Sequence, residues 1–396
     1  MAPKQKLSLA GIYAACLTII APFCKTVYKT LRKAQQEKLP KRVVLLISRP
    51  LDVELLIRLH EQANERKDLN LFFWVTQNCV SRYPGILTQL KEKQLFIEMI
   101  VSFSRLGEVL GKFMETDAFL SVVESTTAKH KLPYQITLLA NAAGVSTYTL
   151  QHGFENVGLT YCDEIHGPDV KFAAKTVLTW GPVEELPAWV SKETRDKSVA
   201  VGCPKKSSVL KNEATAATSA RPIIGIFDNL HWHRYDENYV AKFLGHLEET
   251  ATKWQKFRFV LKSHPDSVRN RSRELAARLG SMKHVDIADM LGGEEPELTT
   301  PWLLTHALGV ITTPSTIALD GALAGVPVAV TRYGLDLSYY SPLSLLDNLA
   351  DWQLFLDRLM DASEYSQLKL NGERFLGRVL VPGDPATKIL DLMAGQ

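Results

Sequence analysis

Two successive doubly wound α/β domains, facing each other across a ligand-binding cleft, are the architecture this sequence predicts. Three observations predict it. The length of 396 residues exceeds one ordinary domain and suits two. From Arg42 onward short apolar runs alternate with helical patterns, the rhythm of a parallel sheet covered by helices. That rhythm stops at the small, polar stretch KNEATAATSA (211–220) and then restarts. At 46% hydrophobic residues the chain can bury real cores, which excludes global disorder.

The elements follow in order. RVVLLIS (42–48) reads as a buried strand, and a helix follows with Leu55, Leu56, Leu59 and Ala63 on one face. LNLFFWV (69–75) is a second strand, and QLFIEMIVSF (94–103) contains a third. FLSVVES (119–125) is a fourth, followed by the helix PYQITLLANAAG (133–144). STYTLQ (146–151), TVLTWG (176–181) and SVAVG (198–202) complete the first set. After the linker come PIIGIFD (222–228), FRFVLKS (257–263), HVDIAD (284–289), GVITT (309–313) and VPVAVT (326–331). Helices Asn238–Trp254 and Ser315–Ala324 lie among them. The division expected is a head (1–41), a first Rossmann-like domain on the acceptor side (42–210) and a second on the donor side (221–396).

Charge sharpens the picture of the head. The net charge is only +3, which suggests no nucleic-acid partner. Residues 1–42 nevertheless carry nine basic residues and one acid, leaving +8 at the head and −5 in the body. Leu7 to Cys24 is an uncharged run of 18 residues, the lower limit for a membrane span. It matches a signal peptide poorly, since no small-x-small cleavage site precedes a plausible mature start. The head is expected to lie in or cross the cytoplasmic membrane, its basic stretch on the anionic leaflet; the alternative is an apolar helix packed on the first domain. Five cysteines with no C-x-x-C favour a reducing compartment over a disulfide or zinc framework.

Absent motifs narrow the chemistry. No G-x-G-x-x-G follows the first strand, and there is no Walker A, no D-x-D and no H-E-x-x-H. The strongest positive signal is TPSTIALDGALAGVPV (313–328). There a strand ends and Ser315 and Thr316 open a helix whose positive end suits a phosphate. The bland reading is an ordinary N-cap. VLKSHPD (260–266) puts Lys262 and His264 at a strand end, with Pro265 fixing the turn, as donors for a nucleotide phosphate or ribose. LQHGFEN (150–156) offers His152 and Glu155 at a strand tip, where a general acid or base belongs, against the reading of a solvated loop. IFDNLHWH (226–233) ends a strand with Asp228, a nucleophile or a helix cap, and His231, Trp232 and His233 are placed to contact sugar. GCPKK (202–206) places Lys205 at the domain boundary, within reach of a donor phosphate or carboxylate.

Together these residues resemble the GT-B glycosyltransferase superfamily. His264-Pro265 followed by Ser315-Thr316 is similar to the His-Pro and Ser motifs of bacterial transferases using CMP- or CDP-activated donors, polysialyltransferases and polyol-phosphate transferases among them. Gln151 to Glu155, with Asp228 after the next domain's first strand, resembles the retaining β-Kdo transferases of bacterial O-antigen and capsule assembly. The resemblance implies a CMP-Kdo donor and a lipid-linked glycan acceptor at the inner membrane. Asp228 would form a covalent sugar adduct, Glu155 or His152 would serve as acid/base, and His264, Lys262 and Ser315 would hold the phosphate with no metal or other cofactor. The alternatives are an inverting CMP-sialic acid or CDP-polyol transferase, a nucleotide-sugar epimerase, and a sugar-nucleotide-binding protein without turnover.

Overall fold

The computed structural model describes residues 39–163, 165, 167, 169–205, 221–288 and 299–396. Residues 1–38 of the apolar and basic head and the 211–220 linker therefore lie outside the described residues. Among the described residues no helix is long and apolar enough to cross a membrane.

Seven parallel strands form the first sheet: β1 (Lys41–Ile47), β2 (Leu69–Thr76), β3 (Ile97–Val101), β4 (Ala118–Ser121), β5 (Ser146–Leu150), β6 (Thr176–Thr179) and β7 (Ser198–Ala200). Their order is β3-β2-β1-β4-β5-β6-β7. Six parallel strands form the second: β8 (Ile223–Asp228), β9 (Arg258–Ser263), β10 (Val285–Ile287), β11 (Ala307–Thr312), β12 (Val328–Thr331) and β13 (Ser344–Leu346), in the order β10-β9-β8-β11-β12-β13. Both orders reverse direction at the sheet centre, beside β1 and β4 in one and β8 and β11 in the other. A doubly wound sheet opens a crevice at such a point. Every strand read from the sequence is present. β13 was not anticipated, because three residues carry no period.

Alternation explains the layering. Val43, Leu45 and Ile47 of β1 join one buried cluster, and Val44 and Leu46 join another on the opposite face. In β8, Ile224 and Ile226 point into one core while Ile223 and Phe227 join the cluster that continues from the first domain. Each such side chain, at 0–4% exposure, contributes about 1.5–3 kcal/mol of burial.

The chain closes by crossing back. Val381 N–H donates to the Trp180 carbonyl (3.0 Å), and a Cβ on Gly181 would lie 2.5 Å from the Val379 carbonyl oxygen, so only glycine admits the crossing strand of chain. The last helix, Pro385–Ala394, then docks on the first domain. Asp384 caps it through Thr387 N–H and also accepts from Arg58 (2.6 Å) and Gln62 (2.5 Å). Arg66 pairs with Asp391, and the Tyr148 hydroxyl donates to the Leu392 carbonyl.

Candidate functional site

The site lies where the carboxyl ends of β1, β4 and β5 face those of β8, β9 and β11. β1 ends in Ser48-Arg49-Pro50. Pro50 starts the next helix at N1, and Asp52 accepts the N–H groups of Ser48 and Arg49. That turn aims Arg49 into the cleft. Its Nε sits 3.7 Å from Asp52, and buried Nε and Nη2 have no hydrogen-bond partner. β9 ends in the same way: His264-Pro265, with the His264 Nδ1 accepting the Asp266 N–H (3.0 Å). The bond puts the His264 proton on Nε2, so that edge is a donor.

His264 stacks on His231 (centroids 4.6 Å apart), whose Nδ1 bonds the Ser267 hydroxyl. Burial first, then the neighbouring His264, pushes His231 down to about 4. His264 is also lowered, chiefly by desolvation. His152 falls well below the usual imidazole range, from burial and then the Arg49 and His130 charges. All three are neutral near pH 7. His231, His264 and Asp266 bring possible metal-ligating atoms within 4.8 Å of one another. Lys129, Arg49 and Arg269 add positive charge around these imidazoles, a field that favours an anion over a cation.

The remaining expected residues are tied up in the domain seam. Ser315 Oγ accepts the Ile317 N–H and bonds Thr312, which ties it into the turn before the helix Ile317–Leu323. Thr316 Oγ1 accepts the Phe154 N–H of the first domain (3.0 Å). Lys205 Nζ lies 3.1 Å from both carboxylate oxygens of Asp320. Burial opposes the Lys205 charge, but Asp320 outweighs it and the pKa rises. Glu155 pairs with Arg234 at only 8% and 12% side-chain exposure. Lys262 lies within β9 and is half-buried.

Asp228 is held rather than free. Ser263 donates to one oxygen (2.5 Å) and Leu230 N–H to the other (3.2 Å), while Arg271 donates to Ser263. Burial pushes the carboxyl up against these bonds. Its carboxylate is buried and holds the turn after β8; the next helix, Glu237–Lys253, is capped by Asp236, so Asp228 is not the helix cap that the sequence also allows.

One acid was overlooked. Glu124, after β4, is 1% exposed and accepts the N–H groups of Ala173 and Ala174 (2.9 Å each). Burial overrides those bonds and raises it to about 7. With His130, Thr149, His152 and Asn156 it lines a small cavity of about 10 Å³. The signals were there: an acid closing the run FLSVVE, and an Arg-Pro pair at a strand end matching His264-Pro265.

Neither the known family models nor the curated protein sequences match this chain. Solved structures do. The UDP-GlcNAc 2-epimerase from Neisseria meningitidis bound to UDP-GlcNAc superposes with a TM-score of 0.63 at 13% identity, covering 90% of this chain and 100% of that one. The S. aureus MnaA–UDP co-structure gives 0.59 at 12%, covering 89% and 95%. The wall teichoic acid polymerase TagF gives 0.53 at 12%, covering 95% and 97%. These likenesses overturn the reading of a retaining CMP-Kdo transferase with an Asp228 adduct, since the recurrent neighbours are UDP-sugar epimerases. They leave the expected fold standing: two Rossmann-like domains in the GT-B arrangement.

Proposed function

We propose that this chain is an enzyme acting on a UDP sugar, and that it epimerises C2 of a UDP-N-acetylhexosamine held in the interdomain cleft. The observation that carries the reading is the whole-length correspondence with the Neisseria epimerase, 90% of one chain on 100% of the other. The chemistry of the cleft supports it. A diphosphate needs cations and N–H donors, and Arg49 has unspent guanidinium N–H groups beside the His264 Nε2–H. Inverting C2 requires a proton to leave one face of the sugar and return to the other. That step needs groups that exchange protons near neutral pH. Glu124, at about 7, is of that kind, and His152 lines the same small cavity. In this reading the diphosphate charge is met by protein cations and no metal is called on. The basic, apolar head is proposed to hold the enzyme at an anionic membrane surface, where lipid-linked products are made.

A donor-only assay tests the reading. Purified protein incubated with UDP-GlcNAc should convert it to its C2 epimer, followed by anomeric proton NMR. Unchanged UDP-GlcNAc together with no calorimetric binding of UDP would sink it. Turnover only when a polyol-phosphate acceptor and its CDP donor are added would favour a polymer-forming transferase, the reading that the TagF likeness over 95% of this chain supports.

A further inference from the structure

The loop after β5 is gripped by the second domain. His152 stands at its cleft end. Phe154 stacks on Tyr339 (4.7 Å, 8°) and meets Phe375 edge-on (5.2 Å). Glu155 pairs with Arg234 in the interface. The Arg234 guanidinium also lies over the Tyr161 ring at 4.2 Å, and Trp232 meets that ring edge-on at 4.5 Å. Arg234 follows His231, Trp232 and His233 directly in the chain. It therefore joins the loop that carries His231 to the loop that carries His152.

We propose that Arg234 is a positioning residue, clamping Glu155 and Tyr161 so that His152 is held in place at the end of β5, its ring edge-on to His130. What the positioned imidazole acts on rests on the UDP-sugar reading; the clamp itself does not. A planar guanidinium grips a carboxylate and lies on an aromatic face at once, whereas an ammonium has no flat face to do both. Only Gly153 and Phe154 separate His152 from Glu155, a tether too short to absorb a shift at Glu155 without moving the imidazole. Small displacements of a reacting group cost large factors in rate.

Two variants of the full chain test this: Arg234→Lys, and the neutral pair Arg234→Met with Glu155→Leu, which leaves no buried charge alone. The His152 ring resonance is followed in histidine-labelled, ligand-free protein, assigned with His152→Gln. UDP affinity and kcat on UDP-GlcNAc are measured beside it. The clamp predicts a displaced His152 resonance in both variants, smaller in the lysine one. It also predicts a fall in kcat of roughly tenfold or more with UDP affinity within about threefold of wild type. An unmoved resonance in a folded variant, or unchanged kcat per folded molecule, overturns it. If the neutral pair does not fold, the lysine variant decides. If wild type neither binds nor turns over a UDP sugar, the UDP-sugar reading has failed, and the ligand-free resonance alone decides the clamp.

Discussion

Thr316, on the second domain, accepts the backbone N–H of Phe154, on the first, and a Cβ on Gly153 would sit 2.8 Å from the same hydroxyl oxygen. One oxygen thus fixes how near the two loops stand, and residue 153 has to be glycine for that distance to hold. The hydroxyl read as a phosphate ligand is a spacer between the domains. Glu155, Arg234, Lys205 and Asp320 reinforce the same seam.

Gly153→Ala should lower stability by roughly 1–3 kcal/mol, because the new methyl overlaps the Thr316 hydroxyl. Thr316→Ala alone should cost a similar amount by leaving the Phe154 N–H without its acceptor. The double variant should be more stable than the two losses added, since the clash is gone. Urea denaturation of all four proteins measures the coupling; strict additivity would mean the contact does not form.

Lys205 and Asp320 make a buried pair across the domain boundary, at 12% and 19% side-chain exposure. Lys205→Met should destabilise by about 3–5 kcal/mol, because the Asp320 carboxylate is left without its cation. Lys205→Met with Asp320→Leu should recover most of that loss. UDP affinity in this double variant should stay near wild type if Lys205 serves the seam, and calorimetry with UDP checks that point.

Glu124 links the small cavity beside His152 to pH. Its folded pKa of about 7 stands above the ordinary 4.5. Folding therefore takes up a proton between those values. The contribution to stability is full below pH 4.5 and is lost as pH rises through 7, on the order of 3 kcal/mol in total. His231 works the other way: its folded value near 4 lies below the ordinary 6.5, so its contribution is present above 6.5 and is lost as pH falls toward 4. Glu124→Gln should make stability climb more steeply than in wild type between pH 5 and 7.5, because the opposing loss is gone, while leaving the acid-side loss in place. Urea midpoints at pH 4.5, 5, 6 and 7.5 give the comparison, and a wild-type stability that rises from pH 5 to 7.5 in step with the Gln variant would contradict the assignment.

Arg49 brings unspent N–H groups to the cleft. Arg49→Ala should weaken UDP binding by roughly tenfold or more, as expected for a charge-assisted hydrogen bond, and should also cost stability, because the buried Asp52 carboxylate loses its neighbouring cation. The salt dependence of UDP affinity should shrink as well. Equal calorimetric affinities for wild type and variant at low salt would remove Arg49 from the phosphate site.

The strands were legible because each buried run of Val, Ile and Leu has a physical reason to be extended and covered on both faces, as in RVVLLIS and PIIGIFD. The strand-end motifs were legible as places: His152, Asp228, His264 and Ser315 do stand at the carboxyl ends of neighbouring strands. Their roles were not. A serine at a helix start reads alike whether it meets a phosphate or its own backbone. A Lys-Lys pair gives no hint of an Asp 115 residues away. Glu124 passed unnoticed because its chemistry comes from the 173–174 backbone and the enclosure around it, neither visible in a local window.

The sequence by itself determined two parallel α/β domains, the break between them, the charge split between head and body, and the loops that border the cleft. These depend on local periodicity and turn chemistry. Tertiary structure decided which side chains remain available there. It set Asp228 to hold a turn, Glu155, Lys205 and Thr316 to join the domains, Arg49 and His264 to face the cleft, and Glu124 to sit enclosed beside His152. That choice turns on partners brought together from distant positions and on burial. Both arise only when the two sheets meet, so no stretch of sequence carries them alone.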